Sequence, residues 1–213
     1  MFKVLRDEDF RLIEETRHEI LYNEGETIFK QGTSFTHVFC ILEGLVKIYI
    51  ESENKKKFIF SLAGPGEMVG SPGMFTDEKH HFTVVALEDT YACYIERHVI
   101  EEIISRNNLF AVEMLKRANL RDIKHFRKFH TLTQKQMPGK VAELILFLYK
   151  EVYKSNPFNL SLSRQDIADM ISITKEGTIR VLKEFKDAGH IRLQGNNLEI
   201  LNEKALLNIA ENG

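Results

Sequence analysis

The sequence predicts an α+β chain: an N-terminal antiparallel β-roll, then one long helix, then a compact helical region that ends in a short hairpin. Three observations carry this. Short β-like runs broken by glycines fill residues 20 to 95. A stretch without Gly or Pro follows from Leu109 to about Thr131. Two short amphipathic segments then meet at a tight corner within Ser163 to Phe185, "SRQDIADMISITKEGTIRVLKEF". At 213 residues, 43% of them hydrophobic and 28% charged, the chain can bury the cores of two domains.

Composition narrows the function classes. The net charge of -2 makes no case for nucleic acid, so any DNA site has to come from local placement of charge. The longest apolar run, "VAELILFLY", contains Glu143 and is too short to cross a bilayer, so no membrane partner is expected. The N-terminus, "MFKVLRDEDF", is charged from the start and lacks the apolar core of a signal peptide; a cytoplasmic protein is expected. Cys40 and Cys93 stand far apart without CxxC spacing, which excludes a zinc ribbon and a four-cysteine iron-sulfur cluster. Two reduced thiols in sheet-like segments are the expectation.

The β region comprises "ETIFKQG", "HVFCILEGLVKIYI", "KKFIFSLAGPG" and "HFTVVALEDTYACYI". Gly25, Gly32, Gly44, Gly66 and Gly70 are expected where the backbone turns, and Asn54 to Lys57, "NKKK", as a polar hairpin tip. Arg97 to Arg106 reads as a short amphipathic helix. In the long helix that follows, Val112, Leu115, Ile123 and Phe126 recur at helical spacing, with Asn119 in the same stripe. Such a stripe suits a parallel two-stranded seam, in which Asn119 sets the register; packing on the β-roll is the alternative. Lys116 to Lys140 holds eight Lys or Arg against the single acid Asp122, which satisfies a helix C-terminus or faces DNA. Pro138 opens a further helix, leaving Leu132 to Met137 as a linker. The expected domains are 1–107, 108–131 and 132–213.

In the C-terminal region Ser163 and Asp166 have capping-box spacing, and Ile167, Ala168 and Ile171 form an apolar face. Thr174 caps a second helix in which Ile179, Val181, Leu182 and Phe185 are expected inward, and Lys175, Glu176, Arg180 and Lys183 outward. This is the form of a helix-turn-helix, whose second helix enters the major groove. Arg180 suits guanine O6 and N7, Glu176 a cytosine or adenine amino group, and Lys175 a base or phosphate. Ser163, Arg164, Gln165 and Thr174 suit phosphate oxygens. Between Ser163 and Arg192 six cations face five acids, so a plain amphipathic hairpin competes with this reading. The segment "HIRLQGNNLEIL" adds a two-stranded wing around Gly195-Asn196-Asn197, and helix, corner, helix and wing together are far more specific.

With these residues in hand, the chain resembles the CRP/FNR family of bacterial transcription regulators over nearly its whole length. The resemblance is carried by "EGETIFKQG" at 24 to 32, "ILEGLVKIY" at 41 to 49, "GPGEMVG" at 64 to 70 and "LSRQDIADMISITKEGTIRVLKEFKDAGHI" with the wing behind it. It implies a cyclic-nucleotide-binding-like jelly roll, a dimerisation helix seamed by Val112, Leu115, Asn119, Ile123 and Phe126, and a winged helix-turn-helix. It also implies a homodimer on double-stranded DNA with a two-fold symmetric site, with RNA polymerase as a further partner. Glu176 and Arg180 match the family's base-reading positions, whereas Lys175 and Gly177 depart from the usual Arg and Thr.

The sensor stretch departs further. Where cyclic-AMP-responsive members carry Glu and Arg, "GSPGMFTDEKHHF" has Ser71 and, near the Arg position, His80 or His81. Without a guanidinium the cyclic phosphate loses its bidentate partner, so cyclic AMP is not expected. Met68, Ser71, His80, His81, His125 and Phe126 are the candidate pocket residues. Haem held by Met or His, an anionic or apolar small molecule, and no ligand all stay open, while an iron-sulfur cluster is not expected from two cysteines. The competing function is a ligand-binding or haem-based gas or redox sensor whose helix pair serves protein interaction. A metal-dependent enzyme is disfavoured, because adjacent His80 and His81 point to opposite faces of a strand.

Overall fold

The computed structural model describes residues 2–70 and 72–213. The chain forms two compact units, Met1–His125 and Phe126–Gly213, and the division falls inside one continuous helix.

The first unit opens with helix α1 (Asp7–Thr16), which the sequence reading did not anticipate. Eight strands follow: β1 (His18–Tyr22), β2 (Thr27–Phe29), β3 (His37–Glu43), β4 (Val46–Glu51), β5 (Lys57–Ala63), β6 (Met68–Val69), β7 (Thr83–Ala86) and β8 (Thr90–Glu96). They form two four-stranded sheets in the orders β1-β8-β3-β6 and β2-β7-β4-β5, with antiparallel pairing throughout. Helix α2 (Arg97–Arg106) and the long helix α3 (Asn108–Gln134) complete the run.

The inner strands β3 and β8 of the first sheet are buried on both faces, whereas the edge strand β1 is exposed. Phe39, Ile41, Val69 and Ala92 pack with Val46, Ile48, Ala63 and Val84 of the second sheet. From the other face Val38, Cys40, Cys93 and Ile95 pack against Ile13 of α1, Val99, Ile100 and Ile103 of α2, and Phe110 of α3. Double burial explains why β3 reads as a continuous apolar run rather than an alternating one. Cys40 and Cys93 are direct cross-strand partners, both buried and free; burial pushes the Cys40 thiol up to about 12, so it stays protonated. Gly44 is required where it stands: at φ +91° a Cβ would lie 2.6 Å from the Asp89 carbonyl oxygen. Gly70, expected at a similar turn, is not among the glycines of positive φ.

A buried polar cluster ties α1 to the start of α3. Asp9, fully buried, accepts from the Arg6 backbone N–H at 3.0 Å, Asn107 Nδ2 at 2.7 Å and Arg106 Nε at 3.1 Å. Burial pushes its carboxyl up, but these donors outweigh that effect and hold it below the usual carboxylate value. Asn107 in turn accepts from Phe110 N–H at 3.1 Å and so caps α3.

The second unit contains the end of α3, helix α4 (Met137–Phe147) with its wider π turn Leu148–Tyr153, and strand β9 (Phe158–Asn159). Helix α5 (Arg164–Ile171), helix α6 (Lys175–Asp187), strands β10 (Ile191–Gln194) and β11 (Asn197–Ile200), and helix α7 (Glu203–Asn212) follow. The expected linker Leu132 to Met137 is shorter than the sequence suggests, because only Lys135 and Gln136 separate α3 from α4. The helical hydrogen bonds persist as far as Lys135 N–H to the Thr131 carbonyl, and the Thr131 hydroxyl donates to Glu143 at 2.8 Å. The unit is held by Val141, Ile145, Leu162, Ala168, Val181, Leu182, Ile191, Leu198 and Leu206, all nearly inaccessible.

Candidate nucleic-acid interface

The corner between α5 and α6 is built by two capping side chains. Ser163 Oγ accepts from Asp166 N–H at 3.1 Å, while Asp166 accepts from Ser163 N–H at 3.0 Å, so Asp performs the task that Glu or Gln usually takes in a capping box. Ser172 takes the left-handed conformation that ends α5. Thr174 Oγ1 then accepts from Gly177 N–H at 3.0 Å and starts α6. A Cβ on Gly177 would lie 3.1 Å from Thr174 Oγ1 and 3.2 Å from Met137 Sδ, so glycine here goes with close packing beneath the helix start.

Helix α6 divides cleanly. Gly177, Thr178, Val181, Leu182 and Phe185 are buried, whereas Lys175, Glu176, Arg180 and Lys183 are exposed as expected. Ile179 corrects the sequence reading: it was expected inward and is 47% exposed. The helical phase explains it, since Ile179 lies one turn beyond Lys175 and shares its side of the helix. Counting that phase from Lys175 is the signal that would have found it. Arg180 Nε lies 3.8 Å from Glu184 Oε1, an exposed pair of little strength that leaves the guanidinium available.

The residues expected at phosphates divide by role. The hydroxyls of Ser163 and Thr174 serve as helix caps, and Gln165 donates to Asp169 at 2.8 Å. Arg164 Nη2 donates to the Gly195 carbonyl at 2.7 Å, joining the start of α5 to the tip of the wing. Its Nη1 is buried with no hydrogen-bond partner among the described residues. The wing is the β10-β11 hairpin, in register from Ile191 opposite Ile200 to Gln194 opposite Asn197, and β9 extends it to three strands. Two residues of β9 leave too short a pattern for sequence to reveal.

Along α3 the stripe Val112, Leu115, Asn119, Ile123 and Phe126 is exposed, so these side chains do not pack on the β-roll. Leu109, Leu120 and Phe129, which the sequence reading omitted, are exposed beside them.

The sensor candidates separate. Ser71 lies outside the described residues. His80 is 6% exposed; its ring stacks on Phe29 at 3.9 Å between centroids and meets Phe35 edge-on at 5.1 Å. Its Nδ1 is buried without a partner among the described residues, and burial pulls the imidazole down to about 4, so the ring is neutral near pH 7. His81 is exposed and pairs with Asp77 at 2.8 Å. Met68 is half-buried against the helical side of the first sheet. His125 meets Phe60 edge-on, and Phe60 in turn meets Phe82, whereas Phe126 is exposed. A neutral imidazole at His80, held among phenyl rings, offers no counter-charge to a cyclic phosphate. Among the described residues no three His, Cys, Asp or Glu side chains gather in a way that holds a metal ion, and no helix is long and apolar enough to cross a membrane.

Comparison with known proteins agrees with this architecture. The family model of the cyclic nucleotide-binding domain matches residues 19–107, and that of the Crp-like helix-turn-helix domain matches residues 139–209. The chain is 27% identical to the transcriptional activator protein Anr of Pseudomonas protegens over 192 residues, covering 88% of this chain and 78% of that protein. Over the same coverage it is 26% identical to the transcriptional activator protein FnrA of Stutzerimonas stutzeri. Among solved structures, FixK2 from Bradyrhizobium japonicum superposes with a TM-score of 0.84 at 20% identity, covering 91% of this chain and 97% of that one. A β-roll matched as cyclic-nucleotide-binding, a long helix and a Crp-like helix-turn-helix in one order mark the chain as a member of the CRP/FNR family, a DNA-binding transcription regulator.

Proposed function

We propose that the protein acts as a cytoplasmic homodimer on a two-fold symmetric DNA site, under the control of an effector other than cyclic AMP. The observation that carries the DNA reading is α6 itself: a Thr174-capped helix whose first turns expose Lys175, Glu176 and Arg180 while its apolar face is buried. In the major groove Arg180 donates to guanine O6 and N7, Glu176 accepts from a cytosine or adenine amino group, and Lys175 meets a base or phosphate. The Arg164 guanidinium, braced by the wing and only partly buried, is suited to a phosphate oxygen through its positive charge. Ser163 and Thr174 cap the helices that carry these groups, and Gln165 stands beside Arg164 in the first turn of α5. The exposed stripe Val112, Leu115, Asn119, Ile123 and Phe126 supports a parallel seam between two copies. Bound effector shifts the population between arrangements of the two units, which the continuous helix α3 joins, and RNA polymerase is the partner of the DNA-bound dimer.

The test is binding of duplexes selected from random DNA, read by anisotropy. Arg180→Ala is expected to cost about 1 to 3 kcal/mol and to relax the preference at one base pair per half-site. Unchanged preference at every position would overturn the assignment of α6 as the reading helix.

A further inference from the structure

The charged face of α6 contains one apolar side chain with no place in the protein's core. Ile179 is 47% exposed, whereas Val181, Leu182 and Phe185 of the same helix are 1%, 2% and 4% exposed. At 100° per residue, Lys175, Ile179, Lys183, Glu176 and Arg180 follow one another across an arc of about 140°. Ile179 therefore lies inside the polar face, flanked by cations. It cannot turn toward α5 without carrying the charged residues with it.

Its surroundings decide what it meets. Single exposed apolar residues are common and ordinarily carry no message. This one is β-branched on a helix surface, where straight-chain residues are favoured, and the residues that share its face of α6 are the charged Lys175, Glu176, Arg180 and Lys183 rather than the apolar neighbours of a protein-docking patch. In the major groove every base edge offers hydrogen-bond donors or acceptors, except at the thymine 5-methyl group. An aliphatic side chain set against guanine or cytosine strips water from polar atoms and returns no hydrogen bond, whereas against thymine it buries methyl on methyl.

We infer that Ile179 is a further specificity-determining residue, packing on the 5-methyl group of a thymine adjacent to the base pairs read by Glu176 and Arg180. The inference rests on α6 being the helix that enters the groove. It deepens that reading by adding a base choice that no hydrogen-bonding side chain makes.

The test uses uracil, which lacks only the 5-methyl group. In a duplex selected with the wild-type protein, each thymine of the half-site is replaced by uracil in turn, and binding is measured for wild type, Ile179→Ala and Ile179→Val. At one position per half-site the wild type is expected to lose about three- to fivefold, the worth of one buried methyl group. Ile179→Ala is expected to bind thymine and uracil there equally, and Ile179→Val to fall between. Full tolerance of uracil by the wild type, or an undiminished penalty in Ile179→Ala, would overturn the inference. Arg180→Ala measured alongside separates the two levels. If it relaxes the preference at its own base pair while the uracil result fails, only the role of Ile179 falls; if it relaxes nothing, the groove reading falls with it.

Discussion

His80 makes the stability of the Met1–His125 unit depend on pH in a way the structure sizes. The ring is neutral because burial between Phe29 and Phe35 pulls it from 6.5 to about 4, with no acid acting as partner. A group whose value is lowered on folding contributes stability above its unfolded value, and that contribution is lost as pH falls toward the folded value. The loss therefore begins near pH 6.5, amounts to about 2 kcal/mol by roughly pH 5, and approaches about 3 kcal/mol at pH 4. Asp9 titrates from below the ordinary carboxylate value, so its own contribution falls in a lower window. The assay is urea denaturation of the wild type and of His80→Leu at about pH 7.5 and about pH 5, with the unfolding of the Met1–His125 unit followed. The wild type is expected to lose about 2 kcal/mol more than the variant between the two conditions. Equal pH dependence in both proteins would refute the argument, because the lost stability would then come from other groups.

The remaining predictions concern three further contacts. Asp9→Ala removes the acceptor shared by Arg6 N–H, Arg106 and Asn107 and is expected to destabilise the first unit by about 3 kcal/mol in thermal denaturation; a change below about 0.5 kcal/mol would show that the cluster is not holding α1. Leu115→Glu puts a carboxylate in the exposed stripe of α3 and is expected to weaken self-association about a hundredfold, toward a 24.7 kDa monomer in sedimentation. A dimer of unchanged strength would count against that seam. Arg164→Ala is expected to weaken all duplexes alike and to lower the salt dependence of binding by about one phosphate contact, in contrast to the base-selective loss from Arg180→Ala.

Much of the site was readable because it rests on local rules. A side-chain hydroxyl caps a helix within three residues, so Ser163 and Thr174 announce the starts of α5 and α6 before any packing is known. Helical phase marks Lys175, Glu176, Arg180 and Lys183 as one face, and Ile179 belongs to that face because phase, not hydrophobicity, sets the direction of a side chain on a helix. The stripe on α3 was equally visible, though incomplete without Leu109, Leu120 and Phe129. Helices α1 and α7 went unread because they are short and depend on packing, α1 through Ile13 and the buried Asp9, and α7 through Leu206.

By itself the sequence determined the succession of β-roll, long helix and winged helix-turn-helix, the family resemblance and the capped corner that presents Arg180, because turns, caps and periodicity act over a few residues. Only the tertiary structure decided the environment of each side chain. It put His80 among phenyl rings, set Cys40 opposite Cys93, and joined Asp9 to Asn107, the cap of α3, 98 residues on. Burial and long-range pairing are properties of neighbours brought together by folding, and neither spacing nor residue type records which neighbours those will be.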